Sequence, residues 1–200
     1  MIQLYWTPRT RSSRVVWMLE ELGVDYERVH VDLSSDEAKA NAEFRAASPM
    51  GKVPAIVDGE VRMADSAAIA IYLADRYASG TLAPAPDHQD RGAYLYWMIY
   101  SPGVIEPAMA EKITGTEPRP SSFGWGSFDL MVQTLAQAVA DREWLLGDFS
   151  AADVMVGSSA AYLKLFGMLP DDSGLDAYIE RCMARPAYQK ALALDAESDG

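Results

Sequence analysis

Two hundred residues, half of them apolar, can build one large domain or two small ones without help from metals or disulfides. A net charge of −12 leaves no basic surface for nucleic acid, and the longest unbroken apolar run, residues 67–74, is too short to span a membrane. The single cysteine, Cys182, cannot close an internal disulfide, and the opening residues carry no signal-peptide core, so the expectation is a cytoplasmic protein.

In chain order, Ile2 to Trp6 is β-favouring and is stopped by Thr7-Pro8, which predicts a first strand. Ser12 or Ser13 can cap a helix whose apolar positions Val15, Met18, Leu19 and Leu22 share one face, with Gly23 closing it. Tyr26 to Asp32 alternates as a second strand, which must lie parallel to the first because a helix connects them. Ser34 with Glu37 forms a capping box for a polar helix to about Ala47. Residues 52–57 and 60–64 flank Asp58-Gly59, a type I′ hairpin signal. Ser66 then caps a helix through Tyr77 with Ile69, Leu73 and Tyr77 on one face and Tyr72 on its flank. The order βαβ-ββα over about eighty residues (domain 1–78) resembles the thioredoxin topology.

Composition changes at residues 79–87, where Ser, Gly, Thr, two prolines and an aspartate crowd together, and the domain linker is placed there. Residues 88–200 read as an all-α C-terminal helical domain. A long aromatic-rich helix runs from Arg91 to Lys112 with a bend at Ser101-Pro102-Gly103. Further helices are predicted over 125–142, 150–169, 175–184 and 186–194. His30 and His88 are isolated and show no metal-ligand spacing, so no metal is expected.

Charge is uneven along the chain. Residues 1–80 hold 9 Lys/Arg against 12 Asp/Glu, whereas residues 81–200 hold 8 against 17. Three of the nine N-terminal cations, Arg9, Arg11 and Arg14, crowd into six positions beside Thr7, Thr10, Ser12 and Ser13. A helix start with free N–H groups, hydroxyls and guanidinium groups favours an anion and can stabilise a thiolate. Taken alone, the same segment is also a well-capped, solvated first turn. Lys52-Val53-Pro54-Ala55 puts a proline at a strand start, where a cis peptide would present the Val53 backbone to a ligand. Asp65-Ser66 offers a carboxylate, a hydroxyl and helix N–H groups, a set suited to an α-amino acid and equally to plain N-capping.

These three segments in this order resemble the N-terminal domain of the glutathione transferase superfamily: LYWTPRTRSSRVVWMLEELGVDYE, SPMGKVPAIVDG and ADSAAIAIYLADRY. The segment GDFSAAD, residues 147–153, is similar to the family's buried helix start, with Ser150 and Asp153 as a structural capping box. The resemblance implies a cytosolic, bacterial-type enzyme with glutathione as co-substrate. Glutathione would be bound by Arg11, Lys52, Val53, Pro54, Asp65 and Ser66. Its thiolate would be conjugated to small, mostly hydrophobic electrophiles, as in detoxification. It also implies a homodimer, and an electrophile pocket between the domains with Trp6, Trp97, Tyr100 and Met109 as candidate lining residues.

The first loop departs from the family's patterns. By similarity to members reading Ser-Arg-Ser-x-Arg, Thr10 sits where the first serine would be, Ser12 is the second candidate, and Tyr5 a distant third as a strand residue that packs inward. No cysteine lies in this loop, so the resemblance is to the Ser/Thr-loop rather than the Cys type, and exchange by protein thiols is not expected. Glutathione-dependent peroxide reduction or isomerisation, and non-catalytic glutathione binding, stand as alternatives.

Overall fold

The computed structural model describes residues 1–36 and 40–196. By contact density they fall into two compact units: residues 1–78 together with those from Arg185 onward, and Ser79–Ala184.

The first unit is built on a four-stranded sheet in the order β2-β1-β3-β4. Strand β1 (Ile2–Trp6) pairs parallel with β2 (Tyr26–His30), as the intervening helix requires. On its other side β1 runs antiparallel to β3 (Ala55–Asp58), which pairs antiparallel with β4 (Val61–Ala64). Alternation along β1 divides the core between the two faces. Tyr5 points to a cluster with Val31, Phe44, Ala47 and Ala55, while Leu4 and its partner Ile56 are fully buried on the opposite face.

Helix α1 (Ser12–Leu22) buries Val15, Val16, Met18 and Leu19, and Gly23 ends it in a left-handed conformation with its N–H on Leu19 O. Its N-cap is Arg11 rather than Ser12 or Ser13, because the Thr10 hydroxyl takes the Ser12 N–H at 3.2 Å and draws Ser12 into the first turn. Helix α2 (Ala42–Ala47) starts from Asn41, whose side chain accepts the Phe44 N–H at 2.9 Å. Ser34 instead donates its N–H and hydroxyl to Asp32, and its expected partner Glu37 lies outside the described residues.

The hairpin turn is Gly59-Glu60, one residue later than the sequence pattern suggests. Gly59 has φ +61° and Glu60 a negative φ, the type II′ pattern, so Asp58 stays in the strand. There its Oδ2 accepts the hydroxyls of Tyr77 (2.7 Å) and Tyr72 (2.8 Å), with Arg76 Nε at 3.3 Å. Both tyrosines and Arg76 lie on α3 (Ser66–Tyr77), so one carboxylate ties the hairpin to that helix.

The second unit is all-helical: α4 (Arg91–Tyr100), α5 (Glu106–Thr114), α6 (Phe128–Val139), α7 (Ala151–Leu165) and α8 (Asp176–Met183). Between α4 and α5, where a bend was expected, Ser101–Ile105 is a π-helical turn, and Glu106 donates its N–H to Ser101 O. Pro102 has no N–H to continue the ordinary ladder, so the bonding steps out by one residue. Helix α6 begins later than Trp125 because Ser127 caps it through the Leu130 N–H. Residues 151–160 of α7 are buried without a break, which makes it the central helix of this unit. The expected capping box forms at its start. Asp153 accepts N–H groups from Ser150 and Leu145, each at 3.0 Å, and the Tyr178 hydroxyl at 3.1 Å.

The final helix, α9 (Pro186–Ala196), packs against α1 within the first unit, although in sequence it follows the all-helical segment.

Candidate functional site

The loop between β1 and α1 gathers the hydroxyls. Thr10 is half-buried and its Oγ1 lies 2.7 Å from Thr7 O and 3.0 Å from Ser12 Oγ, while also accepting the Ser12 N–H. Ser12 is fully buried and takes the Thr7 N–H at 3.4 Å. A hydroxyl that accepts a backbone N–H is polarised toward being a better donor. The Thr10 hydroxyl donates to Thr7 O in this structure, and rotation about its C–O bond would exchange that bond for one to an anion at the loop surface, while Ser12 is closed off beneath it. Arg11 is exposed beside them. Tyr5 packs its ring 5.4 Å from Phe44 in the core, and its hydroxyl pKa is raised chiefly by burial.

The second segment, residues 48–54, is held by Ser48. That buried hydroxyl donates to Lys52 O at 2.7 Å and accepts the Lys52 N–H at 2.9 Å. The Val53–Pro54 peptide is cis, as the strand-start proline suggested. Sheet pairing of β3 begins at Ala55, so the Val53 N–H and C=O are not used in the ladder. Lys52 projects from the surface next to them.

At the third segment the cap is Asp65, not Ser66. Its Oδ1 accepts the N–H groups of Ala67 (2.9 Å) and Ala68 (3.1 Å), and Ser66 becomes the first helical residue. Asp65 holds φ +77°, ψ 123°, a strained conformation for a residue with a side chain. Strain of this kind persists where surrounding structure enforces it, and it clusters at ligand clamps. Ser66 is buried, and its Oγ meets Arg14 Nη1 at 3.5 Å. Arg14, only 4% exposed, thus links the first segment to the third.

Sequence reasoning placed Arg14 among the clustered cations of the first segment but did not foresee its link to Ser66. The available signal was an arginine amid the buried positions of α1, but its partner lies 52 residues away in sequence.

The four aromatic and thioether candidates fall in different units. Trp6 is buried in the first, with the Arg28 guanidinium 4.6 Å over its ring. In the second, Trp97 and Tyr100 are 4.9 Å apart between ring centroids, and the Tyr100 hydroxyl donates to Met131 O at 3.1 Å. Burial pushes that hydroxyl up to about 12. Met109 is half-buried on α5. Cys182 is fully buried in α8, in keeping with a packing role. Among the described residues no cluster of His, Cys, Asp or Glu is placed to hold a metal, and no helix is long and apolar enough to cross a membrane.

Comparison with known proteins bears on the same segments. A family model described as "Glutathione S-transferase, N-terminal domain" matches residues 10–76, which include most of each of the three. Glutathione S-transferase F10 of Arabidopsis thaliana is 36% identical over 199 residues, covering 91% of this chain and 92% of that protein. The Disulfide-bond oxidoreductase YfcG of Escherichia coli K12 is 29% identical over 210 residues, covering 96% and 94%. Among solved structures, a sphingomonad glutathione S-transferase complexed with glutathione superposes with a TM-score of 0.80 at 26% identity, covering 97% and 98%. With a thioredoxin-like sheet, a helical second unit and a relative of this identity and coverage, the chain belongs to the glutathione transferase family and is a glutathione transferase.

Proposed function

We propose that the enzyme conjugates the thiolate of glutathione to small, mostly hydrophobic electrophiles, with Thr10 as the group that meets the sulfur. The observation carrying this reading is the paired hydroxyls Thr10 and Ser12, 3.0 Å apart at the start of α1, with the outer one accessible. Thr10 donates to the thiolate, Ser12 holds Thr10 from below, and the positive end of α1 adds to the stabilisation. The thiolate attacks the electrophilic carbon, a leaving group departs with the bonding pair, and the protein supplies positioning and pKa tuning.

The rest of the tripeptide follows from the other segments. The γ-glutamyl ammonium meets Asp65, whose cap bonds both end on Oδ1 and leave Oδ2 toward the ligand. Its α-carboxylate meets Ser66 and the N-terminus of α3, with Arg14 behind. The Val53 backbone, preceding Pro54, pairs with the cysteinyl backbone, and Lys52 and Arg11 draw the glycyl carboxylate. We further propose a cytoplasmic homodimer and a role in detoxification.

Turnover of a generic aryl halide by wild type, Thr10→Val and Ser12→Ala tests the assignment. Thr10→Val is expected to lower kcat/KM by about a hundredfold, the range for loss of one preorganised donor. Equal rates for wild type and both variants would remove the hydroxyls from the mechanism. A second reading is glutathione-dependent peroxide reduction or isomerisation, which uses the same bound thiolate. Peroxide turnover with no aryl halide conjugation would select it.

A further inference from the structure

Helices α1 and α9 lie against each other in an antiparallel pairing that can be followed contact by contact. Arg185, just before α9, forks onto Glu21 at the C-terminal end of α1, with Nε at 2.6 Å and Nη2 at 2.7 Å. Lys190 bridges to Glu20 at 2.6 Å, and Tyr188 sets its ring edge-on to Trp17 with centroids 5.0 Å apart. At the far end the pairing reaches the loop. Arg28 donates to Leu194 O at 2.8 Å, and the Asp195 carboxylate accepts the Ser13 hydroxyl through Oδ2 and the backbone N–H of Arg9.

Those last two contacts bracket the three residues between them: Thr10, Arg11 and Ser12. Arg9 holds φ +56°, an unfavourable left-handed conformation for an arginine, and its N–H is fixed by a carboxylate from the opposite end of the chain. Asp195 is 7% exposed, and its Oδ1 is buried without a hydrogen bond among the described residues. Burying an incompletely paired carboxylate costs stability, so packing alone does not account for this residue. Its two bonds end on Arg9 in the loop and on Ser13 in the first turn of α1, on either side of the hydroxyls.

We propose that Asp195 is a positioning residue for the reaction: by fixing Arg9 and Ser13 it sets the conformation in which Thr10 faces the glutathione sulfur. This rests on the assignment of Thr10 above. Asp195 does not touch the substrate and acts through the loop alone. An asparagine can replace it, since its carbonyl oxygen accepts the same two donors.

The experiment follows the ionisation of enzyme-bound glutathione by thiolate absorbance against pH, beside steady-state kinetics, for wild type, Asp195→Ala, Asp195→Asn, Ser13→Ala and Tyr188→Ala. In Asp195→Ala the bound thiol is expected to titrate nearer its free value, with kcat/KM down about tenfold, as for a misplaced catalytic donor. Asp195→Asn restores both, and Ser13→Ala reproduces the shift in part without altering α9. Tyr188→Ala weakens the same helix pair away from the loop, and is expected to lower the unfolding temperature while leaving the thiol titration in place. An unchanged titration in both Asp195→Ala and Ser13→Ala, or an equal shift in Tyr188→Ala, overturns the positioning role. A wild-type enzyme that binds glutathione without lowering its thiol pKa overturns instead the underlying reading of Thr10.

Discussion

At the scale of single residues, the two polar hubs of the first unit behave differently and can be separated by measurement. Ser66 is buried with its hydroxyl against Arg14, so a ligand carboxylate arriving there meets a hydroxyl and a cation already in place. Ser66→Ala is expected to weaken glutathione binding by about 1 kcal/mol, read by calorimetry, with little change in kcat. An unaltered dissociation constant would take Ser66 out of the site. Asp58 is a structural hub. Burial alone would raise its carboxyl, but the hydroxyls of Tyr77 and Tyr72 and the charge of Arg76 outweigh it and hold the group below its ordinary value. A carboxyl lowered in the folded state contributes its stability above the unfolded value, about pH 4, and loses it as pH falls through the folded one. Asp58→Asn should therefore cost more in urea midpoint at pH 7 than at pH 3, and a constant difference would contradict the linkage. The placing of Thr10, Asp65 and Ser66 at helix starts was legible in the sequence because each sits beside its own cap signal. The partner of Arg14, and Asp195 altogether, were not legible, since those contacts join positions 52 and 182 apart.

At the scale of elements, periodicity located strands and helices well, and errors gathered at their ends. Helix α1 starts from Arg11 because Thr10 competes for the Ser12 N–H. The hairpin shifts by one because Asp58 is worth more in the strand, bonded to α3, than in the turn. Both are tertiary or loop-level effects that a local pattern does not carry. The capping box at α7 was readable because Ser150 and Asp153 are three apart on a buried start. Its carboxylate does more than cap. It also holds Leu145 and Tyr178, and burial raises its pKa against the pull of those bonds. Asp153→Ala would leave two buried N–H groups and a tyrosine hydroxyl unmet, and is expected to cost about 3 kcal/mol or more in unfolding free energy. A loss under about 1 kcal/mol would mean that the helix start is not closed from water.

At the scale of the whole chain, the first unit is discontinuous in sequence, with α9 joining residues 1–78 after the second unit has intervened. Trp17, only 1% exposed, owes part of its cover to Tyr188. A chain stopped after Ala184 is therefore expected to show red-shifted tryptophan emission and an unfolding temperature lower by about 5 °C or more. Unchanged emission and melting would show that α1 is closed without α9. The separation also sets a schedule for synthesis. The β1–α1 loop emerges from the ribosome first, yet the carboxylate that clasps it is translated 182 positions after Ser13. At roughly 5–20 residues per second the loop waits on the order of ten seconds or more for its clasp. During that interval a nascent chain lacks the carboxylate that accepts the Ser13 hydroxyl, so the start of α1 gains this contact only when the last helix is made.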